Sequence, residues 1–339
     1  MNRLTTTIYT DSGQLPVLNE GNYFHSRRLF DLFRQTPRHK PYMVVATAGD
    51  GRLVGHLLAV VRYRTSWLPP YLYSHCRVLG EGVYYDEGSA GDVAAADGAA
   101  TASTHDEVLG AMLRAVVRQL AGSVLYIEVS HLSRKMAGYR EFRRSGFFGV
   151  RWMSIHNSLH SRTPEERISE RLQRRIALCE KRGVVTAPVN GDADFTAFMK
   201  LLKAHNVPKL KRYVPHERFF RGMADSGDAY LLLTRYRTHV IGCSMLLQSQ
   251  GNGYLWYAAY RRKSFAFVHP DVMTIWHTIK YAYAQGLQHI FFMDVGLPFR
   301  KSAFREFILG FGGKPTSTRR WFRFSVRWLN ALLTWIYRN

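Results

Sequence analysis

Acidic residues and cysteines are scarce in this chain, and apolar runs long enough to cross a bilayer are missing. Among 339 residues, 25 are Asp or Glu and 47 are Lys or Arg, a formal net charge of +22. That imbalance points to a polyanion or an anionic surface: nucleic acid, membrane phospholipid or a phosphate-bearing substrate. The three cysteines, Cys76, Cys179 and Cys243, lie far apart, which excludes a disulfide framework and a Cys-based metal site. No His-Glu-x-x-His and no acids clustered with histidine occur, and no metal is expected. His156 and His160 fall on one face of an expected strand, too far apart to share an ion. The opening MNRLTTTIYTDSG has no apolar core of signal-peptide length, so a cytoplasmic protein is expected. What is present is ample core material, 46% hydrophobic and 14% aromatic, which excludes wholesale disorder. The length is comfortable for two domains.

The two halves follow one plan. GRLVGHLLAVV (Gly51 to Val61) and THVIGCSMLLQ (Thr238 to Gln248) each follow an apolar run, YMVVATA and YLLLTRY, and read as β-hairpins. Val108, Leu109, Met112, Leu113, Val116, Val117 and Leu120 recur at helical spacing, as do Val272, Met273, Ile275, Trp276 and Ile279. Gly122 and Gly286 stop these helices. Then come the strands VLYIEV, near Glu128, and HIFFMDVG, with Asp294, and then YREFRRSGF and FREFILGFGG, which share Arg-Glu-Phe. Gly55 and Gly242 are 187 residues apart and Arg140 and Arg305 are 165 apart, leaving 22 extra residues in the first half. The Ala-, Gly- and Asp-rich segment 86–107 has that length and reads as a mobile insertion, with a functional acidic loop as the alternative. Between the halves, RWMSIHNSLH reads as a strand. TPEERISERLQRRIALCEKRGV reads as one helix, with Thr163 as N-cap, Pro164 at the first position and Glu166 three residues on. The fold class is α/β with a mixed sheet (α+β). The expected domains are 1–160, 161–318 and a basic aromatic tail, 319–339.

Four segments carry a resemblance: NYFHSRRLF, ERLQRRIALCEKRGV, YLWYAAYRRKSF and FFMDVGLPFRKSAFREFILGFGG. In this order they resemble the FemABX-like branch of the GNAT acyltransferase superfamily. The resemblance covers nearly the whole chain except 86–107 and the last twenty or so residues. It implies two tandem GNAT domains and transfer of an acyl or aminoacyl group onto an amine. Relatives include peptidoglycan bridge-forming enzymes that use aminoacyl-tRNA, and others that use acyl thioesters. The coiled-coil arm of some tRNA-using members is missing, and the glycine-rich pyrophosphate loop reads RRKSFAF instead.

Acyl transfer to an amine needs a base, a donor to the carbonyl oxygen, a phosphate hold and exclusion of water. Asp294, ending an apolar strand, is the expected base, with His277 as a second titratable group; the plainer alternative is a strand-end turn residue and a packed histidine. Arg261, Arg262 and Lys263 precede the central helix and are expected to hold donor phosphates, with Asp271 counting against that geometry. Trp256 and Tyr257 of YLWYAAY are expected at the donor site; alternation puts Tyr254 and Trp256 on one face and Tyr257 on the other. Arg174, Arg175, Arg300, Lys301 and Arg305 are expected to bind the acceptor, although the duplication of Arg305 at Arg140 favours a scaffold role for both.

The tail holds five arginines and no acid. Its Trp321, Trp328, Leu332 and Trp335, with Leu329 and Ile336, read as an apolar helical face opposite Arg320, Arg323 and Arg327, suited to an anionic membrane surface; the competing view makes its first part the last strand and packs the rest on the fold. The function these features imply is N-acyl transfer from acyl-CoA or another acyl thioester to the amine of a phosphate-bearing, small or lipid-linked, cell-envelope precursor. No permanently bound cofactor is expected. The place of work is the cytoplasm, peripheral on the inner face of the cell membrane. The alternatives are aminoacyl transfer from charged tRNA, and a non-catalytic RNA- or membrane-binding module.

Overall fold

A computed structural model of the chain describes residues 4–63, 74–85, 98–132, 135–206, 213–293, 295–297 and 301–338, with the backbone alone at 98–104. The first half runs β1 (Thr5–Tyr9), α1 (Arg27–Gln35), β2 (His39–Thr47), β3 (Leu53–Arg62), β4 (His75–Leu79), β5 (Val83–Tyr84), α2 (Gly98–Gln119), β6 (Tyr126–Ser130), α3 (Tyr139–Arg144) and β7 (Phe148–Ser158). The second runs α4 (Glu170–Lys181), β8 (Val184–Pro188), α5 (Gly191–Asn206), α6 (Glu217–Asp225), β9 (Ala229–Tyr236), β10 (His239–Ser249), β11 (Asn252–Tyr260), α7 (Pro270–Ala284), β12 (His289–Phe292), α8 (Ala303–Leu309), β13 (Lys314–Phe324) and α9 (Arg327–Ile336). In each half a helix-bearing segment leads into three antiparallel strands, a helix, a parallel strand, a short helix and a closing strand.

Contacts divide the chain into Met1–Trp152 with Ser317–Asn339, and Met153–Thr316. The reading from sequence placed these borders at 160/161 and 318/319 and set the tail apart. The closing strands explain the difference. Residues 321–324 of β13, from the chain's end, pair antiparallel with β6 in the first unit. Residues 155–158 of β7, from the end of the first half, pair antiparallel with β12 in the second. Hydrophobic periodicity locates a strand but not its neighbour, so this pairing is not legible from pattern.

The first unit orders its strands β1-β2-β3-β4-β6-β13, with β4 and β6 parallel along all of β4. α2 lays Val108, Met112, Leu113 and Val116 on this sheet, as its spacing predicts. Trp321 of β13 is fully buried and stacks on Phe142 at 4.7 Å. Of the expected mobile insertion, 86–97 lie outside the described residues. Residues 98–107 instead open α2, as their alanines favour.

The second unit orders its strands β7-β12-β11-β10-β9-β8. α7 packs Met273, Ile275 and Ile279 against Leu246, Leu255 and Ile290. Pro270 opens it and Gly286, at φ +70°, follows its end. The expected continuous helix from Thr163 is broken. Glu165–Arg167 form one 3-10 turn, Ile168 is extended, and α4 starts afresh with Ser169 accepting from the Leu172 N–H at 3.4 Å. Two rival capping signals lie six residues apart, and the second wins.

The two Arg-Glu-Phe segments are not equivalent. In α3 the buried charged residue is Glu141, held by Arg114 at 3.0 Å and Arg144 at 2.7 Å, while Arg140 is exposed. In α8 the buried residue is Arg305 and Glu306 is exposed. The shared scaffold role expected for Arg140 and Arg305 therefore holds for Arg305 alone.

Candidate active site

The parallel pair β11 and β12 is in register only over Asn252–Leu255 against His289–Phe292. A last bond runs from the Met293 N–H to the Leu255 carbonyl at 3.4 Å. β11 continues to Tyr260, and among the described residues no strand pairs with it on that side beyond Leu255. At this point the other side of β11 is irregular too. Its register against β10 passes from Met245↔Tyr257 to Leu246↔Leu255, so Trp256 is the extra residue of a β-bulge. A bulge twists the strand and frees backbone groups from the ladder. Among the described residues the side of β11 beyond Leu255 therefore has no strand partner, while Trp256 and Tyr257 on it are buried. The equivalent pair in the first unit, β4 and β6, has no such divergence.

The free edge of β11 leads into residues 261–269 and the N-terminus of α7. His269, the N-cap residue, adopts a left-handed conformation (φ 42°) and makes no side-chain cap. One Asp271 carboxylate oxygen accepts the Val272 N–H at 3.0 Å, and the other lies 3.3 Å from Arg262 Nε. Guanidinium groups gather here. Burial holds His269 below its ordinary range, Arg175 pushes it lower, and Arg182 and Arg262 add to that against Asp271. Arg182 also donates to the Phe267 carbonyl at 2.5 Å. Arg175 on α4 and Arg182, the residue that caps its end, are seven residues apart, two turns, and so point to one side. A helix N-terminus flanked by three guanidiniums suits phosphate. Arg182 and His269 are not among the residues expected at the donor site, and Arg175 is expected at the acceptor instead. The two-turn spacing from Arg175 is the signal that would have found Arg182.

The other expected site residues fall as follows. Arg261 and Lys263 are exposed on the loop beside Arg262. Trp256 and Tyr257 are buried on one side, against Phe219 and Phe220 of α6, and Tyr257 donates to the Tyr213 carbonyl at 3.2 Å. The bulge cancels the alternation expected of them; Tyr254 instead stacks on Phe291 at 5.2 Å. His277 is held between the Thr186 hydroxyl at 2.6 Å and a Glu180 carboxylate oxygen at 3.3 Å, and burial pushes its pKa down. Both ring nitrogens are engaged, which is the packed-histidine alternative. Arg174 pairs with Glu170 at 3.0 Å on the exposed face of α4, away from Arg175. Arg305 is buried and donates to the Leu297 carbonyl at 2.7 Å, so it fixes the segment after β12 instead of facing an acceptor. Lys301 is exposed. Asp294 and Arg300 lie outside the described residues. Among the described residues no group of three metal-ligating side chains converges.

Residues 167–300, which contain β11, its free edge and α7, match the acetyltransferase (GNAT) domain family. This chain carries a GNAT acyltransferase domain. The tandem arrangement around it matches solved structures at the level of fold. FemX aligns with a TM-score of 0.57 and 12% identity, covering 91% of this chain and 97% of that one. L-PGS from Bacillus licheniformis aligns at 0.55 and 11%, covering 92% and 91%. A tandem GNAT protein from the clavulanic acid biosynthesis pathway aligns at 0.53 and 9%, covering 95% and 99%. No curated protein matches the chain.

Proposed function

We propose that the chain is an N-acyltransferase that moves an acyl group from an acyl thioester, of the acyl-CoA type, to an amine. The observation that carries this reading is the free edge of β11, which begins at the Trp256 bulge and leads to the guanidinium cluster beside the N-terminus of α7. An amide-bearing thioester arm can pair with an open strand edge as an added strand would. Its phosphates then reach Arg175, Arg182 and Arg262. Backbone N–H groups along that edge are offered to the carbonyl oxygen as it gains negative charge. The amine nitrogen bonds to the carbonyl carbon, the carbon–sulfur bond breaks, and the thiolate leaves. Asp294 takes the proton from the amine. The acceptor is an amine on a phosphate-bearing cell-envelope precursor, small or lipid-linked, a choice supported by the net charge of +22 and the exposed Lys301 beyond β12.

The test is donor consumption by the full chain with an amino-sugar or diamino-acid nucleotide as acceptor. Thiol release from acetyl-CoA or a longer acyl-CoA supports the reading. Consumption of aminoacyl-tRNA with no thiol release assigns aminoacyl transfer instead, and consumption of neither leaves a binding module.

A further inference from the structure

We infer that α9 is a surface anchor for an anionic phospholipid bilayer. This does not rest on the acyl-transfer reading, because α9 belongs to the first unit and the donor edge to the second. Trp328, Leu332, Trp335 and Ile336 stand at the spacing of a single helical stripe. All four are exposed, Trp328 at 70% and Trp335 at 69%. Two tryptophans left this open within two turns of helix are unusual for a surface that meets only water.

The stripe is not a loose end. The opposite face of α9 is fastened to the unit at several points. Asn330 donates to the Gly146 carbonyl at 3.0 Å and accepts the Phe324 N–H at 2.9 Å. Tyr337 stacks on Phe148 at 5.6 Å. Arg143 donates to the Arg338 carbonyl at 2.9 Å. The helix is therefore held in one orientation with its apolar stripe outward. The face expected from sequence is shorter than the helical wheel suggested, since Trp321 is in the core and Arg320 is buried beside Glu128 at 3.1 Å.

Charge selects the occupant. No acidic residue follows Glu306. Exposed cations stand on the stripe's own segment, Arg327 and Arg338, with no acid among them. A second copy would bring the same cations face to face, which disfavours self-association. An anionic lipid surface attracts those cations while the tryptophans settle among the headgroups.

The experiment is co-sedimentation of the full chain with vesicles of phosphatidylglycerol and phosphatidylcholine, and with phosphatidylcholine alone. The expected result is binding to the anionic vesicles only, weakened by salt, and weakened about tenfold or more in Trp328→Ser/Trp335→Ser at an unchanged melting temperature. Equal binding by the variant would overturn the inference, as would no binding to anionic vesicles. So would a dimer of the wild-type chain that the double variant loses.

Discussion

Arg262 Nε lies 3.3 Å from a carboxylate oxygen of Asp271 across the turn that opens α7. The acid is nearly buried and the guanidinium largely exposed. An aspartate in the first turn of a helix would repel phosphate there, and Arg262 offsets that charge. Arg262→Ala removes a phosphate partner and uncovers the acid in one step. It is expected to raise KM for the thioester about tenfold with kcat changed less than about twofold. Asp271→Asn is expected not to raise KM. Steady-state kinetics on both variants check the pair.

The second prediction concerns acid. His25 is fully buried and its Nδ1 accepts the Leu58 N–H at 3.0 Å. His56 beside it bonds the His25 carbonyl at 3.1 Å and the Tyr85 hydroxyl at 3.0 Å. Burial lowers their pKa values from 6.5 to about 3 and about 4. Both must stay neutral in the fold, while the unfolded chain takes up protons near 6.5. The stabilisation is therefore complete above pH 6.5 and is lost as pH falls from there toward 4. The loss from His56 is on the order of 2–3 kcal/mol by pH 4. Melting temperatures between pH 7.5 and 4 are expected to fall steeply, and less so in a folded His56→Gln variant.

The third separates two cations only four residues apart in the sequence. Arg305→Met leaves the Leu297 carbonyl without its guanidinium donor and is expected to cost about 1–3 kcal/mol of stability. Lys301→Met, at an exposed site, is expected to leave the melting temperature unchanged and to raise KM for the acceptor alone. Thermal melts and acceptor titrations read the two effects apart.

The fourth tests the base. Asp294→Asn is expected to lower kcat a hundredfold or more with little effect on thioester affinity, on the order expected for a lost general base. Unchanged turnover would remove Asp294 from the chemistry.

Much of this architecture is legible in the sequence because it rests on local pattern. The hairpins β2–β3 and β9–β10, the core faces of α2 and α7, the strand β12 and the Pro270 and Gly286 boundaries follow from periodicity and from punctuation by proline and glycine. What sequence hides is relational. The pairing of β13 with β6 and of β7 with β12 depends on long-range contacts. The bulge at Trp256 replaces two-residue alternation with a twist that turns Trp256 and Tyr257 to the same helix. Identical letters at Arg140 and Arg305 meet different neighbours, so one docks by its acid and the other by its guanidinium. The site was half visible for the same reason: residue type marks Arg175 and Arg262 as cations, but only the fold gathers them with Arg182 around His269.

The central claim is that the edge of β11 and the cations beside the N-terminus of α7 receive an acyl thioester. Calorimetric titration of the full chain with acetyl-CoA and a longer acyl-CoA tests it directly, alongside Arg175→Ala/Arg262→Ala. Saturable binding by the wild type, weakened at least about tenfold in the double variant at an unchanged melting temperature, is the predicted result. Binding of neither thioester, or binding the double variant leaves intact, would contradict it.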